Sequence, residues 1–339
     1  MRRTAVLAAL ALVALTLVPR AGAAAPTCPA TSSYANPACF SWQGTWTERA
    51  VSVPRLAGAL LASYQGEVFQ PTETSARPAV AVMHGLGGRM QDVWWLARYL
   101  AGHGYVVVTV TNSATDNQTF TDAVLAMEKY LVTNAAALHV DVARIGLAGH
   151  SAGARAVSLV QSRADYVRAA AVVALDNLQS TEQGDAGSAV YNPSCLGGTP
   201  TPIAPVAPAM GIAMDASSYT CASTDPDVKK TAWSRWRAAG LPTVEVVDKG
   251  SNHLTFAQTA LTSGNDGAQL HVPAYFARAW FDRWLLGDGT ATARLFDPRA
   301  ELGAGRDAFL SSAFRSAAYL PDRGVDCADF AEARCSLTA

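Results

Sequence analysis

A glycine-flanked serine between an apolar strand and a helix constrains this chain more than any other feature. The strand is predicted over Arg144–Ala148, and the string Gly149-His150-Ser151-Ala152-Gly153 follows it directly. Small, helix-tolerant residues then continue to about Gln161. Two glycines permit a tight, strained turn that lifts a serine hydroxyl clear of a sheet. The alternative is an ordinary helix start with a capping serine, and the preceding strand favours the strained turn.

Strand and helix signals alternate along the rest of the chain. Strands are predicted at Thr47–Val53, Ala59–Val68, Ala79–Met83, Tyr105–Val110, Arg144–Ala148, Ala169–Leu175, Ala209–Met214 and Thr243–Val247, the first two as a hairpin-like edge. Helices are predicted at 91–101, Thr121–Leu131, 152–161, Val228–Ala239 and Pro273–Leu286. This order predicts the α/β class, with a mostly parallel central sheet and helices on both faces. Residues 178–208, rich in Gly, Pro and Ser, are expected to leave the sheet.

The composition limits the class of partner. Half of the 339 residues are hydrophobic, 16% are charged, and the formal net charge is −1. A chain of this kind folds around a core and lacks the basic field that would hold nucleic acid. We therefore expect one domain over residues 26–339, acting as a monomer, with no nucleic-acid partner.

The first 25 residues have the pattern of a signal peptide. Arg2 and Arg3 precede the apolar run Ala5–Val18, and the small residues Ala21-Gly22-Ala23 offer a cleavage site near 23–25. A membrane anchor is the alternative, but a bilayer span needs about 20 apolar residues. The pattern predicts a secreted protein without stable membrane insertion.

Six cysteines follow the leader, an even number that suits an oxidising compartment. The simplest pairing is local: Cys28 with Cys39, Cys195 with Cys221, and Cys327 with Cys335, although about 15 pairings exist. A metal site would call for Cys-x-x-Cys hooks or nearby histidines. We expect disulfides in a C-terminal tail and elsewhere, and neither a metal nor an organic cofactor.

A serine nucleophile needs a histidine base and an acid that orients that base. In strand-turn-helix enzymes of this kind the chain order is Ser, Asp or Glu, then His. Downstream of Ser151, His253 lies in a loop just after the last predicted strand, whereas His271 lies at the entrance to the final helix. We therefore expect His253 to be the base.

Three aspartates compete for the role of the acid. Asp215 ends the strand after the excursion, Asp176 ends the strand before it, and Asp248 lies close to His253 in sequence. Chain order and strand-end placement favour Asp215, with Asp176 as the alternative.

Backbone N–H groups would stabilise the negative charge on a substrate oxygen. One belongs to Ala152, directly after the serine. The other is expected from Leu86 in the turn His84-Gly85-Leu86-Gly87-Gly88, with His84 and His150 supporting the two turns.

Three strings resemble the α/β-hydrolase superfamily, in particular the branch of dienelactone hydrolases, bacterial cutinases and related polyester-hydrolysing esterases. They are residues 80–88 (VAVMHGLGG), 140–153 (VDVARIGLAGHSAG) and 281–288 (FDRWLLGD), within a similarity over about 58–288. The resemblance implies an α/β-hydrolase fold and cofactor-free hydrolysis of a small-molecule, lipid or polyester ester. It also assigns Ser151, His253 and Asp215 as the triad.

The chain also departs from this family. Ala152, Leu86 and Asp176-Asn177 stand where such enzymes usually have Met, an aromatic residue and Trp. Two other functions share the pattern. An exported acyltransferase would use the same triad, and a non-catalytic binding protein would keep the fold without the chemistry.

Overall fold

The computed structural model describes residues 45–56, 63–114, 116–185, 201–215, 225–257, 267–330 and 335. Their strands form one sheet in the order β1-β2-β4-β3-β5-β6-β7-β8-β9-β10. The strands are β1 (Trp46–Pro54), β2 (Ser63–Pro71), β3 (Arg77–Met83), β4 (Val106–Val110), β5 (Val140–His150), β6 (Ala171–Leu175), β7 (Ala209–Met214), β8 (Thr243–Asp248), β9 (Ala317–Leu320) and β10 (Val325–Cys327). Strands β4, β3, β5, β6, β7 and β8 are parallel, and antiparallel strands flank them at both ends.

Helices cover both faces of this sheet. They are α1 (Trp94–Gly102), α2 (Asn117–Thr133), α3 (Ala135–Leu138), α4 (Ala152–Val160), α5 (Pro226–Lys229), α6 (Thr231–Ala238), α7 (Gly267–Leu285), α8 (Ala291–Phe296) and α9 (Arg299–Leu302). Alternate residues of β3 enter two different hydrophobic clusters. Val80 and Val82 pack with α1 and α7, whereas Ala79 and Ala81 pack with α2 and α4. The alternation follows from side chains that point to opposite faces of a strand.

The predicted α/β class and its parallel sheet are confirmed. The opening hairpin is also confirmed, since β1 and β2 pair antiparallel. The predicted helix from Pro273 begins earlier, at Gly267, with the proline inside it. Of the excursion, residues 186–200 lie outside the described part, and Thr181 bridges to Pro202 at its base.

The tail after Gly287 is more regular than its sequence indicates. It contributes β9 and β10, and β9 extends the sheet by pairing with β8. The predicted disulfide between Cys327 and Cys335 is present. The other two predicted pairs and the leader lie outside the described residues. None of the helices that the structure describes is long and apolar enough to cross a membrane.

A buried carboxyl group on α2 gives the fold a pH dependence. Glu128 is 1% exposed, and burial, with a smaller contribution from the charge of Asp165, raises its pKa from 4.5 to about 8. The folded state therefore binds this proton more tightly than the unfolded chain does. Its stabilisation is complete below pH 4.5 and is lost as the pH rises through about 8.

Glu128→Gln should remove this dependence because the amide does not titrate. Between pH 5 and pH 9 the wild type should lose on the order of 4 kcal/mol of unfolding free energy relative to the variant. Urea denaturation at several pH values measures the difference. Glu73→Gln, which changes an exposed carboxylate, is the control. A constant difference between wild type and Glu128→Gln would contradict the assignment.

Candidate active site

Ser151 lies at the sharp turn between β5 and α4. Its backbone has φ 58° and ψ −118°, a left-handed conformation that costs energy in any residue but glycine. The predicted strand–turn–helix is thus confirmed. Gly149 and Gly153 are required because a larger side chain at either position would collide with neighbouring backbone atoms. A Cβ on Gly149 would lie 2.4 Å from the backbone of Gly153, and one on Gly153 would lie 2.4 Å from the Met83 carbonyl oxygen.

His253 contacts both Ser151 and an aspartate. Its Nε2 lies 3.0 Å from Ser151 Oγ, and its Nδ1 lies 2.5 Å from Asp176 Oδ2. The side chains of His253 and Asp176 are 5% and 0% exposed, so water is largely excluded from the hydrogen bond between them. The structure therefore joins Ser151, His253 and Asp176 in one chain of hydrogen bonds.

The expectation that Asp215 contacts His253 is wrong. Its carboxylate accepts a hydrogen bond from the backbone N–H of Gly250 at 3.0 Å and another from the hydroxyl of Ser311. Its own N–H donates to Ser251 Oγ at 3.2 Å. Asp215 thus holds the loop before His253 against the C-terminal tail.

Strand order explains why Asp176 meets the histidine. Strand β6 is the direct neighbour of β5, with Leu175 paired to His150. The N–H of Ser151 donates to the Leu175 carbonyl at 3.0 Å, so the next residue, Asp176, lies beside the serine. Asp215 ends β7, one strand further from the turn.

The two other candidates from the sequence also lie elsewhere. His271 is buried in α7, where its ring packs edge-on against Tyr99 at 6.1 Å between centroids. Asp248 ends β8 as a buried side chain, and burial, aided by the charge of Asp215, raises its pKa well above the usual range. Such a group is held toward its neutral form, unlike the acid of a triad.

Asp176 has the opposite electrostatic setting. Burial raises its pKa, but the hydrogen bond from His253 and the charge of that ring, with smaller contributions from Lys229 and His150, outweigh burial and leave the pKa below its ordinary value. The carboxylate form is therefore favoured, and a carboxylate is what accepts a proton-bearing Nδ1.

His150 and His84 support the site, as expected. Burial, reinforced by His253, lowers the pKa of His150 to about 3, so its ring is neutral near pH 7. Its Nε2 lies 3.0 Å from the His253 carbonyl oxygen and donates to it. The pair of rings is 4.7 Å apart between centroids. His150 thereby fixes the backbone that carries His253.

The turn at residues 84–88 packs directly on the serine. A Cβ on Gly85 would lie 2.9 Å from Ser151 Cβ. His84 Nε2 accepts the Asn112 N–H at 2.9 Å, so its Nδ1 carries the proton and donates to the Gly85 carbonyl at 2.6 Å. Burial lowers the pKa of His84. The turn is thus held rigid, with Leu86 42% exposed at its tip.

A sequence profile of PET hydrolase-like proteins matches residues 33–207, just over half of the chain. The chain belongs to the PET hydrolase-like family. The matched region contains Leu86, Ser151 and Asp176, whereas His253 lies beyond it.

Individual relatives of this PET hydrolase-like chain are cutinases of Thermobifida. Cutinase 2 of Thermobifida cellulosilytica and cutinase cut1 of Thermobifida fusca are each 29% identical to it over 110 residues. Cutinase est2 of Thermobifida alba is 27% identical over 110 residues. Each alignment spans 31% of this chain, and 42%, 34% and 37% of the respective relative.

Sequence reasoning missed a group of buried polar residues behind the site of this PET hydrolase-like chain. Asn177, Lys229 and Glu245 are all nearly inaccessible to solvent. Lys229 belongs to a predicted basic helix, and Glu245 interrupts an otherwise apolar strand. A charged residue inside an apolar strand is the one signal that could have indicated such a group. No cluster of three or more metal-binding side chains occurs among the described residues.

Because backbone carbonyls lie so close to Gly153, adding a single methyl group there should strongly lower the stability of the fold. Gly153→Ala should lower the unfolding free energy by about 3 kcal/mol, because its Cβ would meet the carbonyl oxygens of Met83 and His84, which belong to the backbone and cannot move aside. Urea denaturation followed by circular dichroism measures it. Gly305→Ala is the control, because no heavy atom lies within 4 Å of its added Cβ. Equal stability of the two variants would refute the packing argument.

Proposed function

We propose that this chain hydrolyses carboxylic esters through an acyl-enzyme intermediate on Ser151. The observation that carries the proposal is the continuous hydrogen-bond chain from Ser151 through His253 to Asp176. The strained backbone of Ser151 supports it, since strain of this kind occurs where a nucleophile is held in a productive position. Family membership and the cutinase relatives favour an ester over other acyl compounds.

The reaction follows from the atoms at hand. His253 Nε2 takes the proton of the Ser151 hydroxyl while Oγ attacks the ester carbonyl carbon. Asp176 keeps the proton on Nδ1, which leaves Nε2 free to act as a base, and stabilises the imidazolium that forms. His253 then protonates the departing alcohol. Water, deprotonated by the same histidine, releases the acid and regenerates Ser151.

The oxyanion of each tetrahedral intermediate would accept hydrogen bonds from the N–H groups of Ala152 and Leu86. Ala152 is the first residue of α4, where N–H groups have no partner within the helix. Leu86 follows Gly85, whose backbone packs against Ser151. We include export in the proposal, based on the leader pattern and on the Cys327–Cys335 disulfide, which suits an oxidising compartment.

Turnover of p-nitrophenyl esters of increasing acyl length tests the proposal. Ser151→Ala should reduce kcat by a factor on the order of 10⁶, to near the background rate, and an organophosphate should label Ser151 in the wild type. Ser162→Ala is the matched control, because within the described part of the chain that hydroxyl donates to the Leu159 carbonyl at the end of its own helix. Turnover that persists in Ser151→Ala would show that the nucleophile lies elsewhere. Absence of both turnover and labelling in the wild type would favour a binding protein.

The acid can be assigned by comparing two matched variants. Asp176→Asn should lower kcat by roughly 10⁴-fold, because an amide favours the wrong tautomer of His253. Asp215→Asn should cost less than about 10-fold, since an amide oxygen still accepts the Gly250 N–H. Steady-state kinetics with one ester measures both. A larger loss in Asp215→Asn than in Asp176→Asn would overturn the assignment.

A further inference from the structure

His253 lies on a short helical segment that is hydrogen-bonded within itself. The segment is a single turn of 3₁₀ helix, His253–Phe256, here called the histidine turn. The Asn252 side chain accepts the Leu254 N–H at 2.9 Å, and the Asn252 N–H donates to Thr255 Oγ1 at 2.9 Å. Because these bonds join the turn to its cap, a displacement of the turn carries the imidazole of His253 with it.

Two buried side chains donate to backbone carbonyls at the two ends of the histidine turn. At its first residue, His150 Nε2 donates to the His253 carbonyl at 3.0 Å. At its last residue, Trp95 Nε1 donates to the Phe256 carbonyl at 3.2 Å. The last carbonyls of a helix have no partner within that helix. The indole of Trp95 thus supplies a partner that the turn itself does not provide.

Trp95 belongs to the interior of the protein. It is 3% exposed and lies in the first turn of α1. An indole N–H can only donate, and a buried indole usually finds an acceptor. Here the acceptor lies 161 residues further along the chain. The bond therefore joins the histidine turn to an element that is distant in sequence.

The ring of His150 lies between the histidine turn and the turn at 84–88. Its Nε2 faces the His253 carbonyl, whereas a Cβ on Gly85 would lie 3.1 Å from its Nδ1. The ring centroid is 4.7 Å from that of His253 and 6.0 Å from that of Phe256. Burial lowers the pKa of His150 to about 3, so the ring is uncharged near pH 7. His150 therefore acts through its shape and its one N–H.

We propose that Trp95 and His150 are positioning residues that hold the histidine turn at both ends and keep His253 Nε2 within reach of Ser151 Oγ. The inference rests on the proposed function, in which Nε2 takes the proton of Ser151. Both side chains are buried, so their loss should act on the geometry of the histidine and not on substrate binding. Displacement of a catalytic group by about 1 Å can lower a rate by roughly 100-fold. A lower kcat with an unchanged KM is the expected signature.

Trp95→Phe removes the indole N–H, and Trp236→Phe is its matched control. Both tryptophans are buried, and Trp236 Nε1 also donates to a backbone carbonyl, that of Ala207 at 2.9 Å. Ala207 lies just before β7 begins, at the opposite end of the strands from the triad. Steady-state hydrolysis of a p-nitrophenyl ester, expressed per active site titrated with an organophosphate, gives kcat and KM. Trp95→Phe should lower kcat about 10-fold and leave KM within about 2-fold of the wild type. Trp236→Phe should keep the wild-type kcat.

A second pair of variants separates the donor of His150 from the bulk of its ring. His150→Gln keeps an N–H at the end of the side chain, whereas His150→Met has a chain of similar length without a donor. His150→Gln should therefore recover most of the kcat that His150→Met loses, and this pair carries the test if Trp95→Phe does not fold. Equal losses in the two His150 variants would overturn the proposal. So would a loss in Trp236→Phe as large as that in Trp95→Phe, or an unchanged kcat in folded Trp95→Phe.

Amide hydrogen exchange measures the hold on the histidine turn without turnover. The Ala257 N–H donates to the Leu254 carbonyl at 3.1 Å, so its exchange rate reports local opening of the turn. It should exchange about 10-fold faster in Trp95→Phe than in the wild type or in Trp236→Phe. Unchanged exchange would count against the proposal. A wild type that does not hydrolyse esters would refute the proposed function alone, because exchange would still decide whether Trp95 and His150 hold the turn.

Discussion

The close contact between two backbone segments, the turn at 149–153 and the end of β3, fixes the position of Ser151, around which the site is arranged. The distance between them leaves no room for a side chain at Gly153, where any Cβ would meet the Met83 and His84 carbonyls. Because the serine backbone is strained, it holds its conformation only while this packing is maintained. The turn at 84–88 then lies against Ser151, and β6 places Asp176 beside it. A local steric constraint thus organises groups from three strands.

The parts of the site that depend on local chemistry could be predicted from the sequence. Glycine spacing around Ser151 indicates the turn, and the strand and helix signals on either side fix its setting. His253 follows a strand that the sequence predicts over residues 243–247. The α/β class likewise follows from alternating elements, because each apolar strand must bury both faces.

The acid could not be assigned in the same way. Asp176 and Asp215 both end buried strands, and the chain order and strand-end placement that favoured Asp215 do not determine which carboxylate reaches His253. What separates them is which strand lies beside β5 and which donors already occupy each carboxylate, and both are properties of the packed chain.

The strands of the C-terminal tail were missed for a similar reason. Strands β9 and β10 are short and have no strong sequence pattern. Strand β9 is defined by its pairing with β8, which is a contact between distant parts of the chain.

The pairing of the C-terminal tail with β8 connects the last part of the chain to the loop that carries His253. Ser311 N–H donates to the Val247 carbonyl, Lys249 N–H donates to the Phe309 carbonyl, and Ser311 also holds Asp215. Hydrogen bonds to the C-terminal segment therefore hold the loop that carries His253. Substitutions at Phe309 or Ser311 would therefore act first on the segment between β8 and His253, through these hydrogen bonds. The tail thus both extends the sheet and holds the segment that precedes His253.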